Sequence, residues 1–174
     1  MPIIAKDNRK DFTPAPEGLH QAVCVDVVDL GMQETQWGMR QKVELWWQIE
    51  TDNPETQKPF EVRQRYTLSL NEKSTLRHHL EAWRGRKFTA EELKGFDMEK
   101  LLGVNCQLQV VWNITDNGAT FANVQAVVPL GKGMTKIQPR EFIRHQDRAR
   151  QMSGDDQRDI AREDGDEDRE PLPF

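Results

Sequence analysis

The chain has 174 residues, 36% of them hydrophobic and 30% charged, with a formal net charge of −5. That is room for one domain with appendages. No apolar run is long enough to span a membrane, and MPIIAKDNRKDF at the N-terminus lacks the apolar centre of a signal peptide, so a cytoplasmic location with no membrane contact is expected. The charge is unevenly placed. Residues 153–174 carry nine acids against three bases, residues 131–152 six bases against two acids, and residues 18–130 twelve bases against fifteen acids. Such asymmetry points to a nucleic-acid partner or an interaction tail.

In chain order, residues 1–17 are polar, carry Pro14 and Pro16, and read as a flexible arm. LHQAVCVDVVDLG, bounded by Gly18 and Gly31, reads as a long first strand. In MRQKVELWWQIE, Val43, Leu45, Trp47 and Ile49 alternate with Lys42, Glu44, Trp46 and Gln48, the period of a half-buried strand. FEVRQRYTLSL alternates again, with Val62, Tyr66, Leu68 and Leu70 on one face and Arg63, Arg65, Thr67 and Ser69 on the other. The period then lengthens. Asn71 is a candidate N-cap for a short amphipathic helix carrying Leu76, Leu80 and Trp83 and ending near Gly85. Thr89 with Glu92 matches a capping box, and Asp97 can cap a further turn. VNCQLQVVWNIT and ATFANVQAVVPL are two strands joined through Asp116-Asn117-Gly118, a hairpin signal. Gly131 and Gly133 mark a hinge, and Pro139 can open a final helix, REFIRHQDRARQM. From Ser153 the chain is acidic and ends in Pro-Leu-Pro-Phe. Its few apolar side chains cannot offset the entropy of ordering it, so a disordered tail is expected.

Three strands, a helical segment and two strands are the order of an OB-fold, a five-stranded Greek-key barrel that binds oligonucleotides or oligosaccharides. A small meander sheet with an inserted helix is the alternative. The expected organisation is therefore an arm over 1–17, a mainly β OB domain over 18–130, a basic linker and helix over 131–152, and the tail over 153–174.

Within this frame, PEGLHQAVCVDVVDLG, YTLSLNEKSTLRHHLEAWRGRKF and LLGVNCQLQVV resemble segments of phage-encoded single-stranded DNA-binding OB-fold proteins, and the resemblance covers Gly18 to Pro129. It includes Gly85-Arg86 after the helix and the connection holding Phe88 and Phe96. Independently, the C-terminus resembles the acidic tip of single-stranded DNA-binding proteins, which ends in an apolar residue, Pro and Phe. Bacterial tips set Asp beside Pro-Phe, whereas Glu170-Pro171-Leu172 precedes Pro173 here. The resemblance implies coating of single-stranded DNA during replication, recombination or repair. It also implies recruitment of replication or recombination proteins through Asp166, Glu167, Asp168, Glu170, Leu172, Pro173 and Phe174. OB-fold binders also occur as homo-oligomers.

Sequence-tolerant binding of single strands needs cations for phosphates and flat side chains for bases. Of the five Trp, the alternation assigns Trp47, Trp83 and Trp112 to the core, and leaves Trp46 on the opposite face and Trp37 in the first loop as stacking candidates. Packing of these two beneath the arm is the competing reading. Arg63 with Arg65, and Arg40 with Lys42, stand two apart on strands and point the same way, which suits successive phosphates. A solvated face with weak ion pairs to Glu44 and Glu61 is the alternative. Lys136, Arg140, Arg144 and Arg148 recur at spacing four, and a helix from Pro139 would align the three arginines. Like charges at that spacing favour an anion, either DNA phosphate or the acidic tail, and DNA could displace the tail.

No catalytic residue, cofactor or metal site is expected. His78 and His79 diverge by about 100° on a helix, Gly131-Lys132-Gly133 lacks the spacing of a phosphate-binding loop, and Cys24 and Cys106 read as buried thiols. A protein–protein adaptor without DNA binding, and more remotely a small nuclease, are the competing functions.

Overall fold

The computed structural model describes residues 13–152. Five strands, β1 (Gly18–Thr35), β2 (Gly38–Asp52), β3 (Pro59–Thr67), β4 (Asn105–Ile114) and β5 (Thr120–Val128), form one antiparallel sheet in the order β3-β2-β1-β4-β5. Helices α1 (Thr75–Arg84) and α2 (Ala90–Lys94) and a 3₁₀ turn at Met98–Leu101 lie between β3 and β4. A mainly β chain with the helices inserted after the third strand agrees with the sequence reading.

β1 organises the sheet. Its first third, Gly18 to Val23, pairs with β4, and the stretch from Ala22 to Thr35 pairs with β2. Register shifts between Cys24 and Asp26, and between Asp29 and Gly31, bend it between these two partners. The sheet curls until its edges meet, where the Val124 amide donates to Gln64 Oε1 at 3.3 Å.

Alternation decides what is buried. Ala22, Cys24, Val43, Leu45, Trp47, Ile49, Val62, Tyr66, Cys106, Leu108, Val110 and Val124 turn to one face and pack with Leu76, Leu80 and Trp83 of α1. Trp47 and Trp83 meet with ring centroids 6.0 Å apart, and Trp83 Nε1 donates to the Asn105 carbonyl at 2.9 Å. Both cysteines are buried free thiols, and burial pushes the Cys106 thiol above its usual range. The two adjacent histidines diverge as expected. His79 meets the buried Tyr66 hydroxyl at 2.7 Å, while His78 is exposed.

α1 starts three residues later than Asn71 suggests. Ser74 Oγ accepts from the Arg77 amide, whereas Asn71 Oδ1 is spent on the turn before it, accepting from Lys73. The stop at Gly85 is as expected, in the left-handed conformation at φ 69° that favours glycine. Thr89 and Glu92 make both bonds of a capping box, and Asp97 caps the 3₁₀ turn.

Three expectations need correction. The arm is not loose over its last residues: Ala15 is buried, and its carbonyl accepts from Trp112 Nε1 at 2.7 Å. Trp112 is not core but 44% exposed. Alternation runs on to the end of β4, but the core stops at the Val110–Val124 pair, and residues 13–17 cover what lies beyond. The last helix does not begin at Pro139. Residues 131–140 form no helix or strand, Glu141 takes a positive φ of 50°, and helical residues start at 145.

The chain divides into two compact units at residue 140. In the second, Arg144 caps the helical residues by accepting from the amides of Asp147 and Arg148. Among the described residues no helix is long and apolar enough to cross a membrane.

Candidate nucleic-acid interface

The outward face of β2 presents Arg40, Lys42, Glu44, Trp46 and Gln48 in alternate positions, because the core takes the residues between them. β3 adds the facing row. Its register sets Thr67 opposite Lys42, Arg65 opposite Glu44, Arg63 opposite Trp46 and Glu61 opposite Gln48. Neighbouring strands lie about 4.8 Å apart, so these cross-strand pairs touch.

Glu44 anchors the centre of this face. It is nearly buried, with Oε1 accepting from Trp46 Nε1 at 2.8 Å and Oε2 accepting from Arg65 Nε at 2.7 Å. These two bonds fix the plane of the Trp46 ring and hold the stem of Arg65, whose side chain stays 67% exposed. On the other side, the Arg63 guanidinium lies 5.2 Å from the centroid of the Trp46 ring, a cation–π contact. Lys42 Nζ donates to Thr67 Oγ1 at 2.7 Å. Of the alternatives for this face, the ion pair to Glu44 is present for Arg65, and it orients the cation while leaving it exposed.

Arg140 joins the same face from a distant part of the chain. Its amide donates to Gln48 Oε1 and its carbonyl accepts from Gln48 Nε2, both at 2.8 Å. Its guanidinium pairs with Asp52, and both side chains are about half exposed. Six of the sequence candidates, Arg40, Lys42, Trp46, Arg63, Arg65 and Arg140, therefore share one face.

Trp37 stands apart from them. Trp37 is 75% exposed at the β1–β2 turn, nine residues from Trp46, or roughly 30 Å at the rise of an extended strand. Lys136 is exposed on the segment after β5. Arg144 and Arg148 belong to the second unit, and residues 141–144 are not helical, so the helix from Pro139 that would align the three arginines is absent. Arg148 instead turns back, with Nε donating to the Ile143 carbonyl at 2.9 Å and its guanidinium 5.4 Å from the Phe142 ring. Asp166, Glu167, Asp168, Glu170, Leu172, Pro173 and Phe174 lie outside the described residues.

One part of the site was missed in the sequence. A groove of about 420 Å³ opens beside Trp46, bounded by Ala15, Glu61, Val62, Arg63, Phe121 and Ala122. Phe121, 47% exposed, brings a second aromatic face to it from β5. An aromatic three residues past a hairpin glycine was the available signal. It was uninformative without knowing that β5 comes round to β3.

The face thus offers fixed cations, oriented aromatic surface and an apolar recess. Among the described residues, no group of three or more His, Cys, Asp or Glu could hold a metal ion. No protein-family model matches this chain and no curated protein matches it in sequence, so the reading of this face rests on its own geometry.

Proposed function

We propose that the protein binds single-stranded DNA on the β2–β3 face and coats it during replication, recombination or repair, as an OB-fold protein of the kind phages encode. The observation that carries the reading is the row that sets Lys42, Arg63 and Arg65 with Trp46 on adjoining strands of one face, with Arg40 and Arg140 toward its two ends. The strand order supports the OB assignment: β1 is shared by β2 and β4, a helix follows β3, and β5 approaches β3. Binding makes and breaks no covalent bond. Phosphates pair with the arginines and lysines, and bases stack on Trp46 and reach the Phe121 recess. Local clustering does the work, because residues 18–130 carry more acids than bases. The acidic C-terminus then recruits replication or recombination proteins in the host cytoplasm.

One observation favours an adaptor as the second reading. The β1–β2 hairpin exposes Met32, Trp37 and Met39 near its tip, a surface that suits a protein partner.

Titration with oligo-dT tests both. DNA binding quenches tryptophan emission and weakens as salt rises. Absence of quenching together with absence of a gel shift would favour the adaptor, and metal-dependent cleavage of the oligonucleotide would indicate a nuclease.

A further inference from the structure

After β5 the chain runs back across the sheet as an irregular strap, residues 131–140, with no helix or strand to fix it. It is held by side-chain amides. Asn105 Nδ2 donates to the Ile137 carbonyl at 3.0 Å while Asn105 Oδ1 accepts from the Ile137 amide at 2.9 Å. Gln48 makes the same pair of bonds to Arg140, both at 2.8 Å. Gln21 Nε2 donates to the Thr135 carbonyl at 2.6 Å. A carboxamide carries one donor and one acceptor edge side by side, as a peptide group does. Each two-bond contact therefore copies a rung of a β-ladder between the sheet's surface and the strap.

The rungs lie in one row. Val23 of β1 is the register partner of both Gln48 on β2 and Asn105 on β4. The two amides are thus two strand spacings apart, about 9.6 Å, which three extended residues span at about 3.3 Å each. Ile137 and Arg140 are three residues apart. The strap crosses from β4 to β2 along this row, where Val23, Gln48 and Asn105 are all buried. Buried amides left without partners would be costly, so their satisfaction by the strap backbone holds it in one place.

We infer that Gln48 and Asn105 are positioning residues for DNA binding: their amide clamps hold the Arg140 backbone beside Gln48, with its half-exposed guanidinium against Asp52, so that DNA phosphate takes over from Asp52 as the strand that stacks on Trp46 runs past the end of the β2–β3 face. The inference rests on the DNA-binding reading. It assigns a binding role to residues that touch no DNA, and it makes the strap part of the interface.

The test uses the full chain and oligo-dT over a salt series. Gln48→Met keeps the side-chain length and removes both bonds. It is expected to lower the slope of log affinity against log salt by about 0.7, the loss of one phosphate contact on a single strand. Its deficit against wild type then grows about fivefold for each tenfold fall in salt. Arg140→Ala should do the same, and the double variant no more than either alone. Ile137→Pro, which lies outside the core and removes the amide given to Asn105, should shift the slope in the same direction if Gln48→Met fails to fold. Hydrogen exchange of the Arg140 amide, read without DNA, should be slow in wild type and fast in Gln48→Met. Wild-type binding with an unchanged slope in the clamp variants, or additive losses in the double variant, would overturn the positioning role alone. No wild-type binding to oligo-dT would remove the DNA reading and this one with it.

Discussion

At the residue scale, the Tyr66–His79 pair shows how burial sets a protonation state. The Tyr66 hydroxyl and His79 Nδ1 are 2.7 Å apart. Burial pushes the tyrosine above its usual range and holds the histidine below 6.5, against a backbone hydrogen bond to Gln125 that favours the cation. A neutral imidazole accepts the phenol proton at Nδ1. In the unfolded chain the histidine titrates near 6.5, so below that pH the unfolded state binds the extra proton and stability falls as pH drops through the folded value. Glu92 acts further down, held at about 2 chiefly by its hydrogen bond from Arg84, so its contribution is present above about 4.5 and is lost toward pH 2. Urea midpoints should therefore decline from pH 6.5 downward, and His79→Phe should flatten the upper part of that decline. A midpoint independent of pH between 4 and 7 in wild type would contradict this account. The same scale shows what alternation can reveal. Trp46 and Trp47 were separable in the sequence because adjacent strand residues face opposite ways. Trp112 was not, because its periodicity continues beyond the point where the core ends. For the binding face, Trp46→Ala should weaken oligo-dT binding by about 1–3 kcal/mol, measured by anisotropy.

At the element scale, caps and turns were legible where the signal is local. Gly85, the Thr89–Glu92 box and the Asp116-Asn117-Gly118 turn all sit where the sequence put them. Ser74 was overlooked for Asn71 because both are good caps and only the preceding turn distinguishes them. Ser74→Ala should cost about 1 kcal/mol of stability, visible as a lower denaturant midpoint at unchanged slope, while Asn71→Ala should cost less. The helix expected from Pro139 failed for a reason no periodicity contains. The carbonyls of Ile137 and Arg140 are taken by Asn105 and Gln48, which stand 32 and 92 residues away, and Glu141 at φ 50° interrupts a helical path. The arginine spacing was real, but its geometric meaning depended on partners far off in sequence.

At the scale of the whole molecule, the succession of three strands, a helical segment and two strands was legible, because five alternating segments are interrupted once by a longer period. The gathering of the site was not, because it depends on which strands become neighbours. Charge is the other property of this scale. Removing residues 153–174 takes away nine acids and three bases, so the shortened chain should bind oligo-dT more tightly, most at low salt where screening is weakest. An affinity unchanged across a salt series would contradict it. The shared strand β1 also bears on how the molecule is made. Gly18 faces Val110, and among the described residues β5 pairs with β4 alone. During synthesis the β1–β2–β3 meander can pair as soon as it emerges, but the Gly18–Val23 edge of β1 must wait for β4, which begins 38 residues beyond the end of β3. Pairing across so long a loop is slow. A nascent chain halted before β4 would therefore expose an open strand edge, and its yield should depend on how quickly β4 and β5 arrive to cover it.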